Sequence, residues 1–424
     1  MSAKPQVCIV GGGMITQVQI LPSFYQLQRL GLVGEIHVCS LDSGPLKVLA
    51  EDEMLQRAFP AHAFTAHPPL DSDPAEKFPE LFKQVIASLP PQSIVVVAMP
   101  DHLHHMVIGE AIRHDQHICS VKPLVLTHAQ AVEIERTAYE RGLVVGIEYH
   151  KRLDDRALLA RRQYRQGLFG EFRVGHAEMN EPYYYRHSNF MNWCTCEHSD
   201  MFAYVGCHYV DQLAFITGLL PTAVSVYGVV DEYPNGNKGY LWTDARVIWS
   251  NGGCLNVTNV MGYPDRGPGG NFQGIRLYCA GKGNSGMLVH NDQYRGMEYC
   301  YVTDSMDGKF YHEPSPDYFK YVDLGGGGLT CVGYGYRSIE YIVKHILKAV
   351  EASEGLGQGD ALAARQKLIR QFDREGIMAT PANSSYNELV MEAGRLSIQS
   401  GGREVRIRYG DDAGVQFTQY GDAR

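Results

Sequence analysis

The feature that most constrains this chain is an apolar run, Val7–Val10, that breaks into Gly11-Gly12-Gly13-Met14-Ile15-Thr16. A strand ending in adjacent glycines lets the backbone turn tightly and approach a diphosphate, whose charge then sits at the N-terminus of the following helix. Ile15, Val18, Leu21, Phe24, Leu27 and Leu30 form a helical stripe behind the turn, with Pro22 as an expected kink. Glu35–Leu41 predicts a second strand, and Asp42 at its end is the candidate acceptor for a ribose 2′-hydroxyl. No Arg or Lys follows within four residues to meet a 2′-phosphate, so NAD is expected ahead of NADP. Gly11, Gly13, Met14, Ile15 and Asp42 are the cofactor-side candidates from this stretch. Thr16 replaces the third glycine of the usual pattern, and Asp42 lies about 30 residues past Gly11 instead of about 20. Such a turn also occurs as an ordinary strand-to-helix connection, so the helix and the acidic strand end carry the nucleotide reading.

Strand and helix patterns alternate as far as residue 150. After the second strand come a helix over Pro45–Phe59, a short strand over Ala61–Ala66 and a helix over Pro79–Leu89. Ile94–Met99 is apolar throughout, as a parallel strand buried on both faces should be. A helix over His104–His114, a strand over His117–Val121, a helix over Thr127–Arg141 and a strand over Leu143–Tyr149 complete the pattern. This alternation predicts an α/β fold with a doubly wound parallel sheet.

Beyond residue 150 a helix over Asp154–Gln166 gives way to strands: Phe172–Met179, Thr222–Val230, Asp244–Ser250, Cys254–Val260, Ile275–Ala280 and Gly286–His290. Short Gly- and Asn-rich turns join them, which predicts a mostly antiparallel sheet. Phe202–Ile216, Tyr336–Glu351 and Ser384–Ser400 read as helices, Ser305–Gly328 as a loop, and Glu404–Tyr409 as a last strand. The expected organisation is a dinucleotide domain over 1–150 and a substrate-binding and oligomerisation domain over 151–424.

At 424 residues the chain has room for two cores. Its net charge of −9, with no dense basic patch, argues against a nucleic-acid partner. No apolar run is long enough for a transmembrane helix. The first strand begins close to Met1, leaving no room for a secretory leader, so a cytoplasmic location is expected. Ten cysteines, among them Cys8, Cys39, Cys119, Cys254 and Cys279 in strands, read as reduced small hydrophobes. The 26 tyrosines suit sugar stacking, subunit interfaces or simply sheet surface.

Ligands of open parallel sheets bind beyond the carboxyl ends of the strands. Three such ends are polar: Met99-Pro100-Asp101-His102-Leu103-His104, Val121-Lys122-Pro123 and Glu148-Tyr149-His150-Lys151-Arg152. Lys122, stiffened by Pro123, can donate to a hydroxyl that is losing hydride, although a surface lysine on a turn has the same local sequence. On a continuous helix His208, Asp211 and Tyr204 share a face, so a histidine able to relay a proton has two polar neighbours. A hydrogen-bonded core histidine is the plainer alternative.

These pieces resemble the glucose–fructose oxidoreductase, inositol dehydrogenase and MocA family (Gfo/Idh/MocA) over nearly the whole chain. Met99, Pro100 and His104 are similar to its Thr-Pro-Asn-x-x-His turn, His117–Pro123 to the strand carrying its Glu-Lys-Pro motif, and Gly206-x-His208-x-x-Asp211 to its second-domain histidine segment. The resemblance implies a Rossmann domain followed by an α/β domain with a large open sheet. It also implies NAD(P)-dependent oxidation or reduction of sugar or cyclitol hydroxyls, with Lys122 at the reacting oxygen and His208 transferring the proton. Val121 stands where the family carries Glu, and Tyr204 where its sugar dehydrogenases carry Asp. A phenol accepts hydrogen bonds more weakly than a carboxylate.

The leading expectation is an NAD-dependent dehydrogenase of a sugar, glycoside or cyclitol, with Lys122, His208 and Tyr204 as catalytic candidates. Met99, Pro100, His104 and Lys122 are expected on the cofactor, and Tyr149, His150, Lys151, Arg152, Tyr183, Tyr185, His187, Trp193 and Asp211 around the substrate. A glycosidase that oxidises a ring hydroxyl transiently, and a non-catalytic nucleotide or sugar sensor, are the alternatives. Cys194-Thr195-Cys196-Glu197-His198 lacks the spacing of common structural zinc sites, so no metal is expected. Alternating Tyr and Val on the second sheet, together with the family resemblance, lead to an expected homodimer or homotetramer.

Overall fold

The structure is a computed structural model describing residues 4–266, 271–292, 301–302, 310–311, 318–325 and 327–419. Its contacts divide the chain into two compact units. One holds Met1–Val125, Ala129–Leu153 and Phe319–Asn383; the other holds Leu126–His128, Asp154–Tyr318 and Ser384–Arg424.

The first unit contains a six-stranded parallel sheet built from β1 (Val7–Val10), β2 (Ile36–Cys39), β3 (Thr65–His67), β4 (Ile94–Val97), β5 (His117–Val121) and β6 (Val145–Glu148). Their spatial order is β3-β2-β1-β4-β5-β6. The order reverses between β1 and β4, so the crevice at their carboxyl ends is the topological switch point where such sheets bind ligands. Val7–Val10 and Ile94–Val97 are buried on both faces, each apolar side chain contributing about 1.5–3 kcal/mol. At the start of β5, burial and the nearby Arg365 charge lower His117 to about 3. Its neutral Nδ1 accepts from Val144 N at 3.0 Å.

The dinucleotide-side helix departs from a regular spiral. Thr16–Ile20 form a wide π turn, in which Leu21 N donates to Thr16 O, and a regular helix follows over Leu21–Arg29. Pro22 sits in the first turn of that regular helix, where a missing N–H is tolerated. The expected kink therefore takes the form of a widened turn before the proline. The helix expected over Pro45–Phe59 is two, Ser43–Glu51 and Glu53–Ala58. Asp52 is extended between them (ψ 109°) and its side chain accepts from Leu55 N, capping the second helix at the expense of the first.

The expected single division near residue 150 differs from the observed path, because Phe319–Asn383 returns to the first unit. Edge strand β6 gives the reason. Helix Tyr334–Glu351 lies so close to it that a Cβ at Gly146 would come within 2.6 Å of Ile342 Cγ2, and Ile147 N donates to Ala379 O at 2.9 Å. The returning segment covers an edge that would otherwise stay open. Of the loop expected over Ser305–Gly328, residues 305–309, 312–317 and 326 lie outside the described residues. The described flank instead contains a short ladder, Lys320–Val322 with Thr330–Val332. A further helix, Gln358–Glu375, had no counterpart in the sequence reading.

The second unit is an eight-stranded sheet with helices. Its strands are β7 (Glu171–Pro182), β8 (Pro221–Glu232), β9 (Lys238–Trp249), β10 (Cys254–Tyr263), β11 (Phe272–Ala280), β12 (Ser285–Asp292), and the closing pair Val405–Arg408 and Gly414–Phe417. The order is β12-β11-β7-β10-β9-β8, then the closing pair. Only β7–β10 is parallel among these pairings, the rest being antiparallel. Strict alternation along β9 and β10 puts Leu241, Ala245, Val247, Leu255 and Val257 in the core.

A buried polar cluster anchors the first helix of this unit. Asp154 caps helix Asp155–Arg165 through Arg156 N at 3.0 Å and accepts from Arg156 Nη2 at 2.9 Å and His290 Nε2 at 2.8 Å. His290 Nδ1 faces Gln212 Nε2 at 3.2 Å, which leaves Nε2 as the proton donor to Asp154. Burial pushes the Asp154 carboxyl up, but hydrogen bonds from His290 and Arg156 outweigh it and hold it well below the usual carboxylate range. A depressed carboxyl stabilises the fold above its unfolded value, near 3.9, and loses that contribution as pH falls toward its folded value. Asp154→Asn is therefore expected to cost about 2–3 kcal/mol at pH 7. In urea denaturation, the gap to wild type should narrow below about pH 4; a gap independent of pH would contradict the assignment.

Candidate active site

The glycine turn has the geometry a dinucleotide needs. Gly11 adopts φ +118°, and a Cβ there would lie 1.9 Å from Ala98 O, so the backbones after β1 and β4 approach as only glycine allows. A Cβ on Gly13 would meet nothing within 4 Å, leaving open space at the start of the helix where a diphosphate fits. Thr16, in place of the third glycine, is fully buried and its Oγ1 donates to Gly11 O at 2.6 Å, pinning the turn. Met14 is exposed and Ile15 half-buried at the mouth of this turn. These features leave room for a dinucleotide's diphosphate at the turn.

Asp42 has other partners than those expected of it. Its Oδ1 caps helix Ser43–Glu51 through Gly44 N at 3.0 Å, and its Oδ2 accepts from Lys77 Nζ at 2.5 Å. Tertiary structure thus supplies the cation that the local sequence lacks.

Beyond β4, Met99 and Pro100 are half-buried. His104 is fully buried and clamps two loops together. Its Nε2 faces Met99 O at 2.8 Å, while its Nδ1 faces Pro123 O at 2.9 Å and Leu124 O at 3.1 Å. His104 thereby ties the backbone after β4 to the backbone after β5. Lys122 follows β5 directly and is half-buried.

At the end of β6, Glu148 is the centre of a buried network absent from the sequence candidates. Its Oε1 accepts from Gln19 Nε2 at 2.8 Å and Ser338 Oγ at 2.6 Å, and its Oε2 meets His150 Nδ1 at 3.0 Å. Gln19 also donates to Gly335 O at 2.9 Å, and His150 stacks on Tyr334 with ring centroids 5.5 Å apart. The π turn, β6 and the returning helix are therefore tied together. Tyr149, Lys151 and Arg152 are buried; Arg152 donates to Asn383 Oδ1 at 3.2 Å and lies over the Tyr149 ring.

In the second unit, the helix expected over Phe202–Ile216 opens with another π turn, Phe202–Gly206, before regular helix Cys207–Thr217. A Cβ at Gly206 would fall 2.7 Å from Phe202 Cδ2 and 2.8 Å from Asn259 Oδ1, so the glycine permits this turn to pack on β10. The π turn ends just before His208, and His208 and Asp211 lie three positions apart on the regular helix that follows. His208 is buried. Asp211 Oδ1 accepts from Tyr386 Oη at 2.9 Å and Asn387 Nδ2 at 3.0 Å, partners invisible in the local sequence.

Tyr204 joins an aromatic cluster. It packs edge-on against Phe190 and Trp193, with centroids 5.0 and 5.4 Å apart, and Tyr185 stacks on Phe190 at 4.7 Å. Burial pushes the Tyr185 phenol up, keeping it a neutral donor. Tyr183 is exposed and pairs with His187 at 5.6 Å, outside these ring contacts. Among the described residues no group of three or more His, Cys, Asp or Glu is arranged to hold a metal, and no helix is long and apolar enough to cross a membrane.

Residues 6–149 match the profile of an oxidoreductase family with an NAD-binding Rossmann fold, Gfo/Idh/MocA. An uncharacterised oxidoreductase of Bacillus subtilis, YfiI, is 31% identical over 81 residues, 19% of this chain and 21% of that protein. The scyllo-inositol 2-dehydrogenase (NADP(+)) IolW of the same organism is 23% identical over 199 residues, 46% of this chain and 53% of that protein. The chain thus spans about a fifth of the length of the first curated relatives it matches. GenD2 from gentamicin A biosynthesis, solved with NAD, shares the fold over 96% of this chain and 98% of its own, with a TM-score of 0.65 at 15% identity. Residues 6–149 are accordingly similar to the NAD-binding Rossmann domain of the Gfo/Idh/MocA oxidoreductases.

Proposed function

We propose that this protein is an NAD-dependent oxidoreductase acting on a secondary hydroxyl of a sugar, glycoside or cyclitol. The observation that carries this reading is the pairing of a glycine turn open at Gly13 with Lys122 at the carboxyl end of β5, its loop held by the His104 clamp. Bound oxidised nicotinamide supplies the hydride acceptor. In this reading Lys122 donates a hydrogen bond to the reacting hydroxyl oxygen, and the family resemblance gives the proton-transfer role to His208. Tyr204, set among Phe190, Trp193 and Tyr185, supplies a wall suited to the apolar face of a sugar ring. IolW and the inositol dehydrogenases of the same fold act on cyclitols, which supports this substrate class.

The test is a panel of glycosides and cyclitols offered to NAD-loaded protein, following absorbance and released sugar together. Net NADH with a polyol supports the dehydrogenase. Sugar release without net NADH points to the transient-oxidation glycosidase, and binding without turnover to a sensor.

The working form is proposed to be a homodimer or homotetramer. Outward-facing residues of the large sheet include Val174, Tyr227, Tyr278, Met287 and Val289, all exposed, and Tyr278 lies beside both Val174 and Met287. Such a row needs covering. Light scattering should give a multiple of the 47.3 kDa chain mass, falling toward a monomer in Tyr227→Asp; a monomeric wild type would refute it.

A further inference from the structure

The carboxyl end of a parallel strand is where sheets of this kind bind ligands, and on β6 that place is taken by Glu148, a carboxylate only 3% exposed. Val121, the last residue of β5, lies opposite it in register, so Glu148 and Lys122 share one edge of the sheet. Packing alone does not call for a carboxylate here, because an apolar side chain of similar size would avoid its desolvation.

The two oxygens of Glu148 serve different elements. Oε1 accepts from Gln19 Nε2 at 2.8 Å and from Ser338 Oγ at 2.6 Å. Gln19 is fully buried in the π turn Thr16–Ile20, whose Thr16 donates to Gly11 O at 2.6 Å, so this oxygen is two residues' contacts away from the glycine turn. Oε2 meets His150 Nδ1 at 3.0 Å. A carboxylate only accepts, so the proton of that pair sits on Nδ1 and Nε2 keeps its lone pair. The His150 ring is held in this orientation by Tyr334, stacked on it with centroids 5.5 Å apart. An imidazole fixed as the Nδ1–H tautomer is the form that takes a hydroxyl proton at Nε2.

We propose that Glu148 is a positioning residue with two arms: through Gln19 it holds the glycine turn for the dinucleotide, and through Nδ1 it keeps His150 in the tautomer whose Nε2 accepts a substrate hydroxyl proton at the edge that carries Lys122. This rests on the dinucleotide reading above.

Heteronuclear NMR of the full chain carrying nitrogen-labelled histidine reads the tautomer, and fluorescence titration with NADH reads the other arm. At about pH 8, where an ordinary imidazole is neutral, wild type should show the His150 proton on Nδ1, the signal being assigned by its loss in His150→Gln. Glu148→Gln keeps a single acceptor atom. With that oxygen on Gln19 and Ser338 its amide NH2 faces Nδ1, so the His150 proton should move to Nε2 while the NADH Kd stays within about twofold. Gln19→Met should do the reverse, weakening NADH by about tenfold with the Nδ1–H tautomer unchanged. Ser338→Ala removes a different contact of the same carboxylate and should leave the tautomer as it was, which separates this assignment from a general loosening of the core. If Glu148→Gln fails to fold, the wild-type spectrum and Gln19→Met decide by themselves. An Nε2–H tautomer in wild type, an unchanged tautomer in folded Glu148→Gln, or unmoved NADH affinity in Gln19→Met would overturn the proposal. Failure of wild type to bind NADH would sink the dinucleotide reading and the Gln19 arm with it, and is told apart because the histidine spectrum needs no cofactor.

Discussion

Lys122→Ala is expected to slow hydride transfer by roughly 10²–10⁴-fold, the usual range for losing a positioned proton donor. NADH affinity should stay within about twofold, because the turn at Gly11–Gly13 and the His104 clamp use no atom of the Lys122 side chain. Single-turnover rates with NAD-loaded protein separate the two effects, and KM should move less than kcat. Equal losses in cofactor affinity and chemical step would remove Lys122 from the reacting oxygen and make it a cofactor-binding residue. Lys122→Arg should recover little, since a planar guanidinium cannot take the place of a compact ammonium at a single oxygen.

Gly11→Ala is expected to abolish measurable NADH binding and to destabilise the first unit by more than about 4 kcal/mol. Two independent costs add. The left-handed φ of +118° strains any residue with a Cβ, and that Cβ would lie 1.9 Å from the Ala98 carbonyl, a backbone atom of a buried strand end that cannot give way. Gly13→Ala is the informative contrast. Its Cβ would meet no protein atom within 4 Å, so stability should stay within about 0.5 kcal/mol. Any loss of NADH affinity in Gly13→Ala then reports on the space reserved for the diphosphate. Calorimetric melting and fluorescence titration distinguish the two variants; intact binding in Gly11→Ala would show that the turn does not host the cofactor.

The same contrast explains which parts of the site were legible. Lys122, His104 and the glycines sit at strand ends that hydrophobic patterning marks directly. Thr16 looked like a defect, yet its hydroxyl holds the turn shut through Gly11 O. Nothing in a run of apolar residues announces the π turn at Phe202–Gly206, where Gly206 packs on Asn259.

By itself the sequence determined the alternating α/β pattern, the glycine turn, the polar strand ends and the mostly antiparallel second sheet, since each depends on neighbours a few residues apart. Tertiary structure alone decided that Phe319–Asn383 returns to the first unit, that Lys77 neutralises Asp42 from 35 positions away, and that Glu148 gathers Gln19 and Ser338 across 129 and 190 positions. The reason is physical. Periodicity and turn chemistry fix the local backbone, whereas a buried carboxylate takes whichever donors the chain path brings to it, because leaving it unpaired costs more than any local preference can supply.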